Sequence, residues 1–285
     1  MFTPDPAERC SMTIINNLNS LRALAGLNQA SANISQASER ISTGFRINRS
    51  SDDVGGMAVA NDLKTQIGSF NSVLNNLSQA TTVTDTVDTA LTEIVDILGY
   101  MREAAVASES DTLSTAERTA YQDEIDAYVT AIDTISTNAT WNGTSLMSSA
   151  STMDIQTGVN SGDTTTLSFS KITSTQLSIG SLSTASTTTA GTAVTSIDSA
   201  LDTVNTYQSY IGSMANVMDS QYNVASDTVI NYSASYGSIM NADYAAETAK
   251  LAAAQIQRDG ATAMMIQGND LNRSLVDYLL KSVSN

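Results

Sequence analysis

The residues best equipped for chemistry in this 285-residue chain are two adjacent carboxylates, Asp52 and Asp53, within "TGFRINRSSDDVGGM" beside Gly44, Arg46, Asn48, Gly55 and Gly56. Paired carboxylates can share a proton or hold a cation. Neighbours in sequence have no geometry of their own, however, and catalysis needs a base, a reacting group and an orienting partner held together. The chain contains no histidine, which excludes a Ser-His-Asp triad, a His-paired cysteine, an imidazole base and a His-ligated zinc. Its one cysteine, Cys10, forms neither an internal disulfide nor a thiolate cluster. We therefore assign no catalytic, metal-binding or cofactor-binding residue, and read a protein that is not an enzyme. The acidic pair reads instead as part of a joint, in which Gly44, Gly55 and Gly56 admit unusual dihedrals and Asp52-Asp53 cap a helix starting near Val54. A second group of reactive side chains is the hydroxyls of "SLSTASTTTAGTA". Ser183, Thr184, Ser186, Thr187, Thr188 and Thr189 are candidate acceptors for O-linked modification, on a low-complexity connector over 181–192 expected to be exposed and mobile.

The elements that hold these groups follow from composition and spacing. Aromatic content is 5% and two prolines serve the whole chain, which favours long helices over an aromatic-rich core. The formal charge of -16 is concentrated in the middle: residues 65–249 hold three basic groups against twenty acidic ones, whereas 12–64 and 250–285 are nearly neutral. An acidic middle argues against nucleic acid as a partner and for a surface kept soluble by self-repulsion. No apolar run approaches the ~20 residues that span a bilayer, so no membrane role is read. The leader, residues 1–11, has no apolar h-region; it reads as a cloning or start-site artefact, with Met12 as the natural start.

From Val194, apolar positions recur in steps of three and four through Ile197, Leu201, Val204, Ile211, Met218, Tyr232 and Ile239, with Gln208 interrupting. This heptad seam predicts a helix of roughly 65–70 Å at 1.5 Å per residue. A second seam runs from Leu63 to Leu77, slips phase near Ala80, and resumes from Val87 to Ala105, as a three-residue stammer would produce. A third helix carries Tyr121, Ile125, Tyr128 and Ile132 behind the capping box "STAE". The fold class is mainly α: a long antiparallel coiled-coil bundle formed by the N- and C-terminal halves. "WNG" is a turn, and "MDIQTGV" and "TTTLSFS" alternate as a small β-hairpin near 152–170.

Several motifs in order give a resemblance. "IINNLNSLRALAGLNQASANISQASERISTGFRINRSSDD", "EIVDILGYMREAAVAS", "WNG", "IQTGVNSGDTTTLSF" and "NADYAAETAKLAAAQI" are similar to successive segments of the bacterial flagellins, from Met12 to Leu280. The resemblance implies a structural subunit of the flagellar filament, exported unfolded by the flagellar type III apparatus and found outside the cell. It also implies self-association into a helical homopolymer and partners in an export chaperone, a distal cap and hook-filament junction proteins. Residues 12–50 and 243–285 become inner-core helices, 51–180 and 193–242 a surrounding shell, and Gly44, Arg46, Asn48, Asp52, Asp53, Gly55 and Gly56 the joint between them. The segment 181–192 stands where larger members carry outer variable domains. The same resemblance places Gly99, Tyr100, Arg102, Glu103 and Glu124 on positions that bind a Toll-like receptor in some members. Tyr100 and Ala104 stand where a basic residue and an apolar anchor are usual, so weak or absent receptor activation is expected. Met240-Asn241 departs from the family's "R-D" before "A-D-Y". A hook-filament junction protein is the alternative within the flagellum, a generic coiled-coil adaptor one outside it; a protease-bearing flagellin would need histidines that this chain lacks.

Overall fold

A computed structural model describes residues 18–283. The described helices are α1 (Leu18–Thr43), α2 (Val54–Ser108), α3 (Thr115–Asn138), α4 (Thr187–Met240) and α5 (Tyr244–Val283). Four short strands, β1 (Thr140–Trp141), β2 (Thr144–Ser145), β3 (Ser151–Gln156) and β4 (Thr164–Phe169), lie between α3 and α4. The chain divides into two compact units, Lys64–Ser233 and the paired ends outside it. The leader at 1–11 lies outside the described residues.

In the unit Lys64–Ser233, α2 and α4 run antiparallel. Arg102 Nε meets Asp198 Oδ1 at 2.6 Å, Gln208 Nε2 donates to Asp88 Oδ1 at 3.2 Å and Thr92 Oγ1 at 3.1 Å, and Phe70 meets Tyr232 edge-on at 5.9 Å. The interruption at Gln208 is thus a polar cross-link between the helices, of the kind that fixes register. The buried stripe of α2 passes through Val73, Leu77, Ala80, Thr84 and Val87 in regular steps of four and three. Ala80 therefore belongs to the seam rather than slipping it; its small side chain hid it in the sequence. Ile125 and Ile132 of α3 join the same core. α3 begins at a full capping box, with the Ser114 side chain accepting from Glu117 N and the Glu117 carboxylate accepting from Ser114 N. Both hydrogen bonds from Ser114 hold the Glu117 pKa below its ordinary value. Arg118, on the first turn of α3, donates to the carbonyls of Ser108 and Ser110 and so satisfies carbonyls at the end of α2.

"WNG" proves to be more than a turn. Trp141 pairs with Thr144 and Thr140 with Ser145, around Asn142 (φ 47°) and Gly143 (φ 78°), the left-handed pair that a two-residue type I′ hairpin requires. Two-residue strands are too short to show alternation in the sequence. The larger hairpin aligns Ser151 with Phe169 and Gln156 with Thr164. Leu167 and Phe169 are buried, and the backbone N–H groups of Ser168 and Ser170 donate to the Tyr210 and Tyr207 hydroxyls, both at 3.1 Å. Two tyrosines of α4, one helical turn apart, thus seat β4 on the bundle.

The connector departs from expectation. Only 181–186 is irregular, because α4 starts at Thr187, where Ser186 Oγ accepts from Thr189 N at 3.2 Å and Thr189 Oγ1 accepts from Ser186 N at 3.0 Å. Reciprocal capping turns a low-complexity run into a helix start. Thr184 is fully buried, its N–H donating to Gln122 Oε1 at 2.8 Å and its hydroxyl reaching Arg118 O at 3.2 Å, so it is no exposed acceptor.

In the other unit, α1 and α5 are antiparallel, with Ser20 reaching Asn269 at 2.9 Å and Arg40 reaching Glu247 at 3.4 Å. Their described buried apolar side chains are Ala30, Ala37 and Ala254. Each buried methyl contributes about 0.8 kcal/mol, while ordering the backbone costs about 1–2 kcal/mol per residue. The pair leaves its large apolar side chains in solvent: Leu18, Leu21 and Leu24 of α1, and Ile256, Met264, Ile266, Leu271 and Leu275 of α5.

Candidate functional site

The segment between α1 and α2 is organised by the groups singled out in the sequence. Gly44 adopts φ 76°, a conformation open to glycine at little cost, and turns the chain out of α1. Residues 44–46 then lie against 240–242: Arg46 N donates to Met240 O at 2.6 Å, Ala242 N donates to Gly44 O at 2.9 Å, and Phe45 bridges Asn241. The Arg46 guanidinium donates to Ile239 O at 2.8 Å, satisfying a carbonyl at the end of α4. Asn48 Nδ2 donates to Phe45 O at 3.0 Å.

The two aspartates divide the capping work that the sequence suggested they share. Asp53 is the α2 cap, its Oδ1 accepting from Gly56 N at 2.8 Å. Asp52 instead closes the preceding turn, its Oδ2 accepting from Asn48 N and Arg49 N, both at 3.0 Å. Those two backbone donors hold the Asp52 carboxyl below its ordinary value. Gly56 sits where a β-carbon would lie 2.5 Å from Asp53 Oδ2 and 2.8 Å from Ile47 Cδ1, whereas one at Gly55 would come no nearer than 3.8 Å. Beneath the turn Ile47, Ala60 and Met240 form a small core with Phe45, Met57, Tyr236 and Ile239. Met240, which departs from the family pattern, is therefore an apolar plug under this turn. Among the described residues no cluster of three or more His, Cys, Asp or Glu side chains is placed to hold a metal ion.

Beside this turn lies a charged group that the sequence did not single out. Glu247, nearly buried, meets Arg40 at 3.4 Å and Lys250 at 2.8 Å. The Lys250 hydrogen bond, helped by charge from Lys250 and Arg40, holds its carboxyl below the usual glutamate value against the opposing effect of burial. Arg40 and Glu247 are far apart in sequence, and only the antiparallel pairing brings them together.

The residues that the resemblance places at receptor-binding positions lie in α2 and α3. Tyr100 is exposed and stacks on Tyr128 with centroids 6.2 Å apart, and the Tyr128 hydroxyl donates to Glu124 Oε1 at 3.1 Å. That hydrogen bond to a carboxylate raises the Tyr128 pKa. Arg102 is tied to Asp198, Glu103 is exposed and Gly99 half-buried. Ala104 is buried against the core, so the missing bulk there belongs to packing and not to a surface anchor.

Comparison with known proteins decides the family. Residues 14–152 match the bacterial flagellin N-terminal helical region, and residues 194–279 match the bacterial flagellin C-terminal helical region. The chain belongs to the bacterial flagellin family. Among flagellin relatives, the phase 1 flagellin of Salmonella naestved and the flagellin of Salmonella enteritidis are each 34% identical over 163 residues, which is 56% of this chain and 32% of theirs. The chain thus aligns with about a third of the length of those flagellins. The crystal structure of Bacillus cereus flagellin is 29% identical, covering 53% of this chain and 88% of that one, with a TM-score of 0.48. A proposed flagellar hook-associated protein of Vibrio parahaemolyticus, 14% identical with a TM-score of 0.57 over 67% of this chain and 100% of its own, shares the fold. Flagellins are structural proteins, and no described helix here is long and apolar enough to cross a membrane.

Proposed function

We propose that this flagellin is a subunit that polymerises into the extracellular flagellar filament for swimming motility, after export through the flagellar type III apparatus. The observation that carries the reading is the α1–α5 pair, which buries three alanines while leaving Leu18, Leu21, Leu24, Ile256, Met264 and Leu271 exposed. A helix pair with so small an interior gains most of its burial from neighbours, and further copies of the chain present the same faces. The joint at Gly44–Gly56 would fix where that pair leaves α2 and α4. The acidic residues 65–249 suit a surface that must not bundle with other filaments. An export chaperone, a distal cap and hook-filament junction proteins complete the proposed partners, and contact with a Toll-like receptor is proposed to be weak.

Deletion of residues 243–285 tests the reading. The shortened chain is expected to remain a soluble helical monomer and to fail to sediment as fibres when seeded with filament fragments, while the intact chain assembles. Seeded fibres of the shortened chain would overturn the assignment of the ends to assembly.

A further inference from the structure

Asn142 is followed by Gly143 at the tip of the β1–β2 hairpin, and it is the one Asn-Gly step in the chain. Its side chain is exposed and, among the described residues, makes no hydrogen bond. Space around Gly143 is open, with no atom within 4 Å of where a β-carbon would stand. The pairing that holds the turn is two residues long on each side, too short to be rigid by itself.

We infer that Asn142 is a site of spontaneous covalent ageing, converting to aspartate and iso-aspartate in the folded subunit. When the turn opens, the Gly143 backbone nitrogen attacks Asn142 Cγ. A new N–C bond closes a five-membered succinimide, the amide nitrogen of Asn142 leaves as ammonia, and the Gly143 N–H proton is lost to solvent. Water then adds to one of the two ring carbonyls. Opening on one side restores an ordinary aspartyl linkage, and opening on the other routes the backbone through the side-chain carbon. No oxidant, metal or enzyme is required, only water and base.

The structure makes the reaction selective. Outside the helices the described asparagines are Asn48, Asn142, Asn160 and Asn241. Asn48 is held by Phe45 O, and the nitrogen that would attack it, Arg49 N, is engaged by Asp52. Asn160 donates to Asp163 Oδ2. For Asn241, the attacking nitrogen of Ala242 is bonded to Gly44 O. Helical asparagines are restrained by the backbone ladder. Asn142 alone combines a free amide, a glycine neighbour and a pairing short enough to open.

The consequence is mechanical as well as electrostatic. An iso-aspartyl link adds a backbone atom to a two-residue turn, which can no longer hold Trp141 opposite Thr144. The strands on either side anchor Ala139, Leu146 and Met147 in the core, with Leu146 N donating to Ala139 O at 2.8 Å. Trp141, the one tryptophan of the chain, is half-buried against that core and reports the change directly.

The test is to age the purified full-length protein in mildly alkaline and mildly acidic buffer and to map its peptides by mass spectrometry that distinguishes iso-aspartate. Asn138, Asn142 and Asn160 fall in one tryptic peptide, 119–171. The expected result is loss of the amide at Asn142, with Asn48, Asn138, Asn160 and Asn241 intact, faster at the higher pH, and a red shift of Trp141 emission that grows with the iso-aspartyl fraction. Asn142→Gln should abolish the time course, and freshly purified Asn142→Asp, before its own slower cyclisation to the same succinimide, should carry the added charge without the red shift. An amide at Asn142 that survives conditions converting the free peptide, or equal loss at the other asparagines, would overturn the inference.

Discussion

Replacing Gly56 with alanine should weaken the turn that leads into α2, although alanine is the better helix former. Ala gains about 1 kcal/mol of helix propensity over glycine. Here the new β-carbon would arrive 2.5 Å from Asp53 Oδ2 and 2.8 Å from Ile47 Cδ1. Ile47 is 1% exposed and packed with Ala60 and Met240, so it has little room to retreat. The Asp53 carboxylate must swing away, and the cap it provides to Gly56 N is lost, at about 0.5–2 kcal/mol. Residual overpacking adds about 1–3 kcal/mol. The balance is a destabilisation of about 1–3 kcal/mol, or local opening favoured by roughly 5- to 150-fold. Gly55→Ala is the control, because its β-carbon meets nothing closer than 3.8 Å, and it should stabilise the same turn by up to about 1 kcal/mol. Hydrogen exchange at the amides of Asn48, Arg49 and residue 56 reads the difference without depending on global unfolding. Matching behaviour of the two variants, or slower exchange in Gly56→Ala, would refute the packing argument.

Further outcomes follow from the same geometry. The folded-state pKa of Glu247 is lowered by Lys250 and Arg40, so its contribution to α1–α5 pairing is complete above the ordinary glutamate range and lost as pH falls through the lowered value; Glu247→Gln should flatten that acid dependence of exchange protection in α1 and α5. If the protein is O-glycosylated in its native host, the sugar should map to exposed Ser183 or Thr188 and never to buried Thr184, with intact mass and peptide mapping as the check. A reporter-cell assay should find little Toll-like receptor activation by the monomer, because Tyr100 is stacked on Tyr128 and Arg102 is engaged by Asp198; potency equal to a strongly stimulating flagellin would contradict this.

The long helices were legible because each obeys one local rule over many residues. The α4 seam from Ile197 to Met218 and the Ser114–Glu117 box depend on spacing along the chain alone. The α2 seam was partly hidden where Ala80 and Thr84 carry it, since small side chains give a weak periodic signal. The turn before α2 is legible as a set of residues but not as an arrangement. Gly44 and Asp53 announce a turn and a cap, yet that Asp52 faces Asn48 and Arg49, or that Arg46 reaches Ile239 O, depends on chain folding back from far away. The same is true of Arg40 with Glu247 and of Tyr207 and Tyr210 with β4. Composition misleads at 181–192, where a run of Ser and Thr reads as loop although Ser186 and Thr189 act as helix caps. The Asn-Gly step at 142 was a readable signal for a type I′ hairpin.

Self-assembly through the two chain ends is the central claim, and electron microscopy of the purified intact protein after seeding with short filament fragments tests it most directly. The account predicts long fibres of uniform width growing from the seeds, with free subunit depleted from solution. Seeds that stay at their original length, decorated at their ends by a few subunits, would contradict it.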